Sequence, residues 1–387
     1  MILKVLGEFK MPWIEETTMS LKEEFVKRAL IKQESFSALC KEFKITRKTG
    51  YRILKRFEAE GLPGLLPLSK KPLTNPYKTD KKIEEKIVEI RLKEPTWGPR
   101  KILRYLRNKG MKQLPAPSTA TNILKRYNLI SIEESLKRYK LIRFERTQPN
   151  DLWQMDFKGK FQLLTRQSCF PLTIIDDHSR FAVDIKACTN EQYLLVKKRL
   201  TYIFEKYGLP NQINVDNGNP WGNSHLLSHT ALTIWLMQLG VRVTHSRPRH
   251  PQTNGKCERF HRTLKEDLLN RYPMRTFLHA QKLFNQWRHQ YNHERPHEAL
   301  NFDCPIKRYQ SSKKLMPSRL PVIEYGDNAI VRKVRGNGYI SYNRKEYLVG
   351  EAFKGLNIEV KNDEISRAII LHFGQFQIFN YDYSDGR

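Results

Sequence analysis

Between Asp151 and Leu269 the spacing of apolar residues switches repeatedly between a period of two and a helical period, and this alternation restricts the fold more than any other property of the chain. Asp151–Phe161, Cys169–Asp176 and Arg180–Ala187 read as three adjoining strands. Glu191–Tyr207 then reads as a helix, Gln212–Asp216 as a strand, Thr230–Leu239 as a helix, Val241–His245 as a strand and Gly255–Leu269 as a long helix. Strands joined by short turns pair antiparallel, whereas strands separated by helices return parallel. The pattern predicts a mixed five-stranded sheet flanked by helices, within a domain at 150–310.

Three acidic residues stand at the joints of this pattern. Asp156 lies in Leu152-Trp-Gln-Met-Asp-Phe157, Asp216 in Ile213-Asn-Val-Asp-Asn-Gly218, and Glu258 in Pro251-Gln-Thr-Asn-Gly-Lys-Cys-Glu-Arg259. Carboxylates that converge without a cation repel one another and take up protons, so convergence in a strongly basic chain is best accounted for by a divalent metal. On the last helix Cys257, Phe260, Leu264 and Leu268 form one apolar stripe, and Glu258, Arg262 and Lys265 share another face. The ordinary alternative is a surface Glu–Arg pair. The polar, Gly- and Pro-containing run Arg247–Gly255 that enters the helix favours a functional face. Asp176 and Asp177 are expected to be structural. His245, His250 and His261 lack metal-ligand spacing as a set and are expected to hydrogen-bond locally or touch phosphate.

The formal charge of the 387 residues is +29 at pH 7, and the isoelectric point is about 9.9. Such an excess favours a polyanion, with nucleic acid ahead of an acidic membrane, because no apolar run approaches membrane-spanning length and no signal-peptide pattern opens the chain. Five cysteines, Cys40, Cys169, Cys188, Cys257 and Cys304, stand singly and read as reduced thiols. Residues 1–150 hold 34 Lys and Arg against 17 Asp and Glu, which marks them as the main DNA-holding region.

That region contains two helical units, 1–65 and 76–130, separated by a Gly- and Pro-rich stretch from Gly61. In the first, Leu21–Lys32, a helix capped by Ser35 and a longer one capped by Thr46 have helix-turn-helix spacing. Arg47, Lys48 and Arg52 are its candidate DNA contacts, with Tyr51, Leu54 and Phe57 expected inward. The second runs from Asp80 through Trp97-Gly-Pro-Arg-Lys-Ile102 to a helix at Ser118–Tyr127, with Ser118 expected as its cap and Ser118, Thr119 and Lys125 as candidate contacts. At the other end, alternation from Asn328 onward predicts a small β-barrel within 320–387.

The element order resembles ribonuclease H-like domains. With His250-Pro-Gln-Thr-Asn-Gly-Lys-Cys-Glu-Arg-Phe-His261, Thr173-Ile-Ile-Asp-Asp-His-Ser-Arg180 and Tyr291-Asn-His-Glu-Arg-Pro-His-Glu-Ala-Leu300, the three carboxylates resemble the blocks of DDE-type insertion-sequence transposases with a retroviral-integrase-like core. Asn219-Pro-Trp-Gly222 is similar to the insertion sequence 481 type in particular. The 41 residues between Asp216 and Glu258 exceed the retroviral spacing, and the surplus fits a loop at Asn217–Ser228.

The resemblance implies a DNA transposase that binds its element's terminal inverted repeats and catalyses DNA nicking and strand transfer into a target. It implies two Mg²⁺ ions, with Mn²⁺ able to substitute, held by the catalytic residues Asp156, Asp216 and Glu258. Lys256, Arg259, Arg262 and Lys265 would lie along the DNA beside them. It further implies an SH3-like C-terminal barrel, a homodimer or higher oligomer on DNA, no membrane, and a prokaryotic, cytoplasmic, nucleoid-associated location. The rival readings are a non-catalytic, transposase-derived DNA-binding regulator, which would keep the helical units and lose carboxylates, and a structure-specific nuclease, which would not need two N-terminal readers.

Overall fold

The computed structural model describes residues 18–67, 78–130, 145–218, 220–222, 229–245 and 255–383, and the chain divides into two compact units, 1–78 and 79–387. In the first, α1 (Thr18–Ile31), α2 (Phe36–Glu42) and α3 (Arg47–Glu60) follow the expected caps: Ser35 accepts from the amide of Ala38 and Thr46 from that of Thr49. Phe25, Val26, Leu39 and Cys40 form the core, with Ile53, Leu54 and Phe57 packed on it. Tyr51 was expected inward and is 54% exposed. The buried place belongs to Gly50, where an added Cβ would lie 2.9 Å from both Cys40 Sγ and Phe36 Cζ. The i, i+3, i+4, i+7 stripe of α3 therefore starts one residue earlier than expected.

The second unit opens with α4 (Lys81–Lys93), α5 (Pro99–Asn108) and α6 (Pro117–Arg126), closed around Ile87, Trp97, Ile102, Ala120 and Ile123. Ser118 does not cap α6. Pro117 takes the first helical position, where its fixed φ and missing N–H cost nothing, and Ala116 stands before it. Polar contacts tie these helices to the central domain. Thr96 donates to Asp267 at 2.6 Å, Arg104 to Asp303 at 2.7 Å, Gln290 to Glu94 at 2.7 Å, and Arg271 to the carbonyl of Lys93 at 2.9 Å.

The central sheet contains β1 (Trp153–Phe157), β2 (Phe161–Gln162), β3 (Ser168–Asp176), β4 (Ala182–Cys188), β5 (Gln212–Val215) and β6 (Arg242–His245). Its order is β4-β3-β1-β5-β6, with short β2 paired to the start of β3. The pairs β3–β4 and β1–β3 are antiparallel, and β1–β5 and β5–β6 are parallel, the ribonuclease H-like arrangement. Alternation along β1 sends Trp153 and Met155 to one face, against α7 (Tyr193–Tyr207) and α8 (Ala231–Gln238). The other face is covered by Cys257, Phe260 and Leu264 of α9 (Gly255–Leu264) and by Phe284 and Trp287 of α10 (Phe277–His293). Gln154 and Asp156 therefore face α9. Beyond Leu264 the helix widens into a π turn, Lys265–Leu269, in which the Asn270 amide reaches the Lys265 carbonyl. Asn292, from the Tyr291–Leu300 block, brackets Ala182 by donating to its carbonyl and accepting from its amide, which fastens α10 to β4.

C-terminal to this domain, β7 (Ile330–Lys333), β10 (Asn357–Asp363), β11 (Ala368–Phe373) and β12 (Phe376–Asp382) form an antiparallel sheet, and β8 (Tyr339–Tyr342) pairs with β9 (Lys345–Leu348). The two sheets share a core of Ile340, Phe353, Ile358, Leu371 and Phe373, to which α8 contributes Ile234 and Met237. Among the described residues no helix is long and apolar enough to cross a membrane.

Candidate active site

Trp153 pairs with Ile213 and Gln154 with Asn214 across the parallel strands β1 and β5. Asp156 lies two residues further along β1, and Asp216 directly follows the end of β5, toward the carboxyl side of the sheet where open α/β sheets place ligands. The turn after β5 is shaped around Asp216. The Gly218 amide donates to its carboxylate at 3.1 Å, and a Cβ at Gly218 would lie 3.3 Å from the same carboxylate.

Glu258 comes from the first turn of α9 and is exposed. The start of α9 is seated by β1 itself: the Cys257 amide donates to Gln154 Oε1 at 3.1 Å, and Gln154 Nε2 donates to Asp177 at 3.0 Å. Lys256 joins this arrangement through an ion pair with Asp177. Asp176 is equally internal, accepting from the amides of Asn150 and Ser179 and from the Ser179 hydroxyl.

The three carboxylates feel one another. Burial, then the charge of Asp216, with smaller additions from Glu258 and Glu191, push the Asp156 carboxyl up to about 7. Glu191, just before α7, is itself raised by burial and by Asp216. It is a fourth acid near the site, and nothing in its local sequence marks it, because its approach to Asp216 exists only after the sheet has formed. Lys158 was likewise missed. It follows β1, and burial and the charge of Lys265 lower it against the opposing charge of Asp156.

The candidate DNA contacts fall into several settings. Arg259, Arg262 and Lys265 are exposed, whereas the Lys256 side chain is only 17% exposed and turned toward Asp177. Arg47, Lys48 and Arg52 lie exposed on α3. On α6, Ser118 and Lys125 are exposed and Thr119 is half-buried. The Arg247–Asn254 approach to α9 lies outside the described residues, as does most of the Asn217–Ser228 loop.

The donor set suits a hard divalent cation. Three carboxylates offer oxygen only, and the charges of Asp216 and Glu258 that raise Asp156 are relieved by positive charge. Among the described residues a tighter set also occurs: ligand atoms of Asp156, Cys257 and His261 lie within 4.8 Å of one another.

Several stretches of the chain are similar to known proteins. The description "Integrase core domain" matches residues 146–251 and again 239–305, a homeodomain-like domain matches 49–124, and a helix-turn-helix domain matches 21–72. The uncharacterized 31.7 kDa protein of insertion element IS407 from Burkholderia multivorans is 30% identical over 158 residues, covering 41% of this chain and 54% of that protein. An IS476 protein of Xanthomonas euvesicatoria is 29% identical over 154 residues, 39% of this chain and 42% of its own length. The transposase for insertion sequence element IS904 of Lactococcus lactis is 29% identical over 185 residues, 46% of this chain and 70% of its own. The chain thus spans about half the length of the first two. Among solved structures, a simian T-cell lymphotropic virus intasome aligns with 78% of this chain and 98% of its own at 16% identity and a TM-score of 0.37, too distant to carry an argument. Residues 146–305 thus match the description of an integrase core domain, and the chain is similar over 39–46% of its length to proteins of insertion elements, a transposase among them.

Proposed function

We propose that this protein is a DNA transposase that binds the terminal inverted repeats of its mobile element and carries out metal-dependent DNA nicking and strand transfer. The observation that carries the reading is the rise of the Asp156 carboxyl under burial and the charges of Asp216 and Glu258, with Asp216 following the strand parallel to β1 and Glu258 on a helix seated on β1 through Gln154. Asp156, Asp216 and Glu258 would hold Mg²⁺, or Mn²⁺ in its place, and two such ions supply charge neutralisation of a phosphodiester and a nucleophilic oxygen at neutral pH. The chain's own residues do the rest. Gly218 holds the Asp216 carboxylate by its amide, and Gln154 fixes the start of α9, from which Glu258 would complete the set. Lys158 and Lys265 would supply cations to a scissile phosphate, with the exposed Arg262 and Arg259 extending the basic path. The exposed Arg47, Lys48 and Arg52 of α3 would engage the repeat, and Ser118, Thr119 and Lys125 would add contacts from α6. Because two DNA ends must be held together, a dimer or larger assembly forms on DNA.

The test is incubation of the full chain with labelled DNA carrying element ends and Mg²⁺, beside Asp156→Asn. Wild type nicks and joins, and the variant binds DNA but loses at least a thousandfold in rate. Intact binding without nicking by wild type would favour a regulator, and equal activity of the variant would remove Asp156 from the mechanism. Stability supplies an independent check. The folded protein holds Asp156 far above the 3.8 of an ordinary aspartate, so it takes up a proton between about pH 7 and 4 that the unfolded chain releases. Without divalent metal, stability therefore rises as pH falls through that window. At pH 8 Asp156→Asn is more stable than wild type by about 1–3 kcal/mol in thermal melts, and Mg²⁺ narrows the gap.

A further inference from the structure

Thr173 is the cross-strand partner of Asp156, and with Cys257 and His261 of α9 it forms a cluster that phosphoryl transfer leaves unused. Thr173 Oγ1 lies 3.0 Å from the main-chain oxygen of Asp156 and 2.6 Å from His261 Nε2. A hydroxyl has one hydrogen, and a carbonyl only accepts. The Thr173 hydrogen therefore goes to Asp156, and His261 donates Nε2–H to Thr173. That tautomer leaves a lone pair on Nδ1, which faces Asp156 Oδ2 at 3.9 Å.

Cys257 Sγ lies 3.6 Å from His261 Nε2 and 3.6 Å from the Thr173 hydroxyl, and the ligand atoms of Asp156, Cys257 and His261 fall within 4.8 Å of one another. The sulfur contact is to the nitrogen that bonds Thr173, so the ligating set is bounded by 4.8 Å; on a tetrahedral zinc the ligand atoms stand roughly 3.3–3.7 Å apart, and side-chain shifts of about 1 Å close the set. The hydrogen bond from the far ring nitrogen to Thr173 is the support that metal-bound imidazoles ordinarily have.

The geometry points to a second metal site, Asp156–Cys257–His261, for a thiophilic divalent cation such as Zn²⁺, separate in chemistry from the carboxylate site and sharing Asp156 with it. Sulfur and imidazole select Zn²⁺ or Co²⁺ over Mg²⁺. On binding, the Cys257 S–H bond breaks, a sulfur–metal bond forms and the proton leaves to solvent; thiolate and carboxylate together balance the dication. Burial holds the free thiol protonated until a metal arrives. A metal in this site withdraws Asp156 from the carboxylate site, so thiophilic cations act as an off state.

The inference stands on spacing and donor chemistry and does not depend on transposition. Its test is titration of the full chain, without DNA, with Co²⁺. One ion binds per chain, with a near-ultraviolet thiolate-to-cobalt charge-transfer band that Zn²⁺ displaces and excess Mg²⁺ does not. Cys257→Ser, melting like wild type, loses the band, and His261→Asn weakens Co²⁺ binding at least tenfold in equilibrium dialysis. No charge-transfer band at saturating Co²⁺, or the same band in Cys257→Ser, would overturn the site. Failure of nicking with the band intact would count against the transposase alone.

Discussion

In the first helical unit α3 turns Gly50, Ile53, Leu54 and Phe57 into its own core and leaves Arg47, Lys48 and Arg52 exposed. In the second, Glu94, Thr96 and Arg104 instead reach Gln290, Asp267 and Asp303 of the central domain. Even Lys101, on the helix equivalent in charge to a DNA reader, is lowered to about 8 by burial and then by the charge of Arg295. Two three-helix stretches of basic composition thus put their polar residues to different work. One presents them to solvent, and the other spends several of them on attachment, so the charge of a helix identifies a ligand only after its facing surface is known.

The comparison is most severely tested at Asp267. Its carboxylate accepts from Thr96 and pairs with Arg295, both side chains of the ion pair being less than a tenth exposed. Asp267→Ala strands Arg295 and costs about 3–5 kcal/mol, in a melting transition belonging to 79–387 alone. A parallel fall in the transition of the first unit would break the distinction between them. Gly50→Ala works in the opposite direction: its Cβ meets Cys40, Phe36 and Phe25, so the first unit loses about 1–3 kcal/mol while the rest of the chain melts unchanged.

Smaller effects sharpen the contrast. Arg104→Ala, which breaks a half-exposed pair with Asp303, costs about 1 kcal/mol or less in chemical denaturation and leaves the salt dependence of DNA binding as it was. Arg47→Ala and Arg52→Ala each lower the slope of log affinity against log salt by about one and change stability by less than about 0.5 kcal/mol. Equal salt slopes for Arg104→Ala and Arg47→Ala would show that both units hold DNA in the same way.

Much of this architecture is legible from one sequence because it is set locally. The caps at Ser35 and Thr46, the strands around Asp156 and Asp216 and the apolar stripe of α9 follow from neighbours a few residues away. Ser118 was misread because Pro117 outranks a hydroxyl as a helix starter, and Tyr51 because a glycine was not counted as a core residue. The rest is tertiary. Glu191 approaches the carboxylates from a distant element, Lys158 meets the charge of Lys265 from another, Lys256 turns inward because Asp177 waits there, and Thr173 meets His261 across 88 positions of chain. The spacing of histidines gave no hint of a ligand, since the partners of His261 are a strand aspartate and a cysteine one turn away.

The π turn at Lys265–Leu269 closes the helix that α9 begins and sets the phase between its front and its end. Ahead of it, Glu258 is indexed to β1 through Gln154; within it Asp267, and just beyond it Arg271, are indexed to the second helical unit. Removing a single residue at its start would rotate Asp267 and Arg271 by about 100° against Glu258. The site would keep every carboxylate and lose its alignment with the helices docked behind it, so length changes in this short stretch are tolerated only when both ends are re-indexed together.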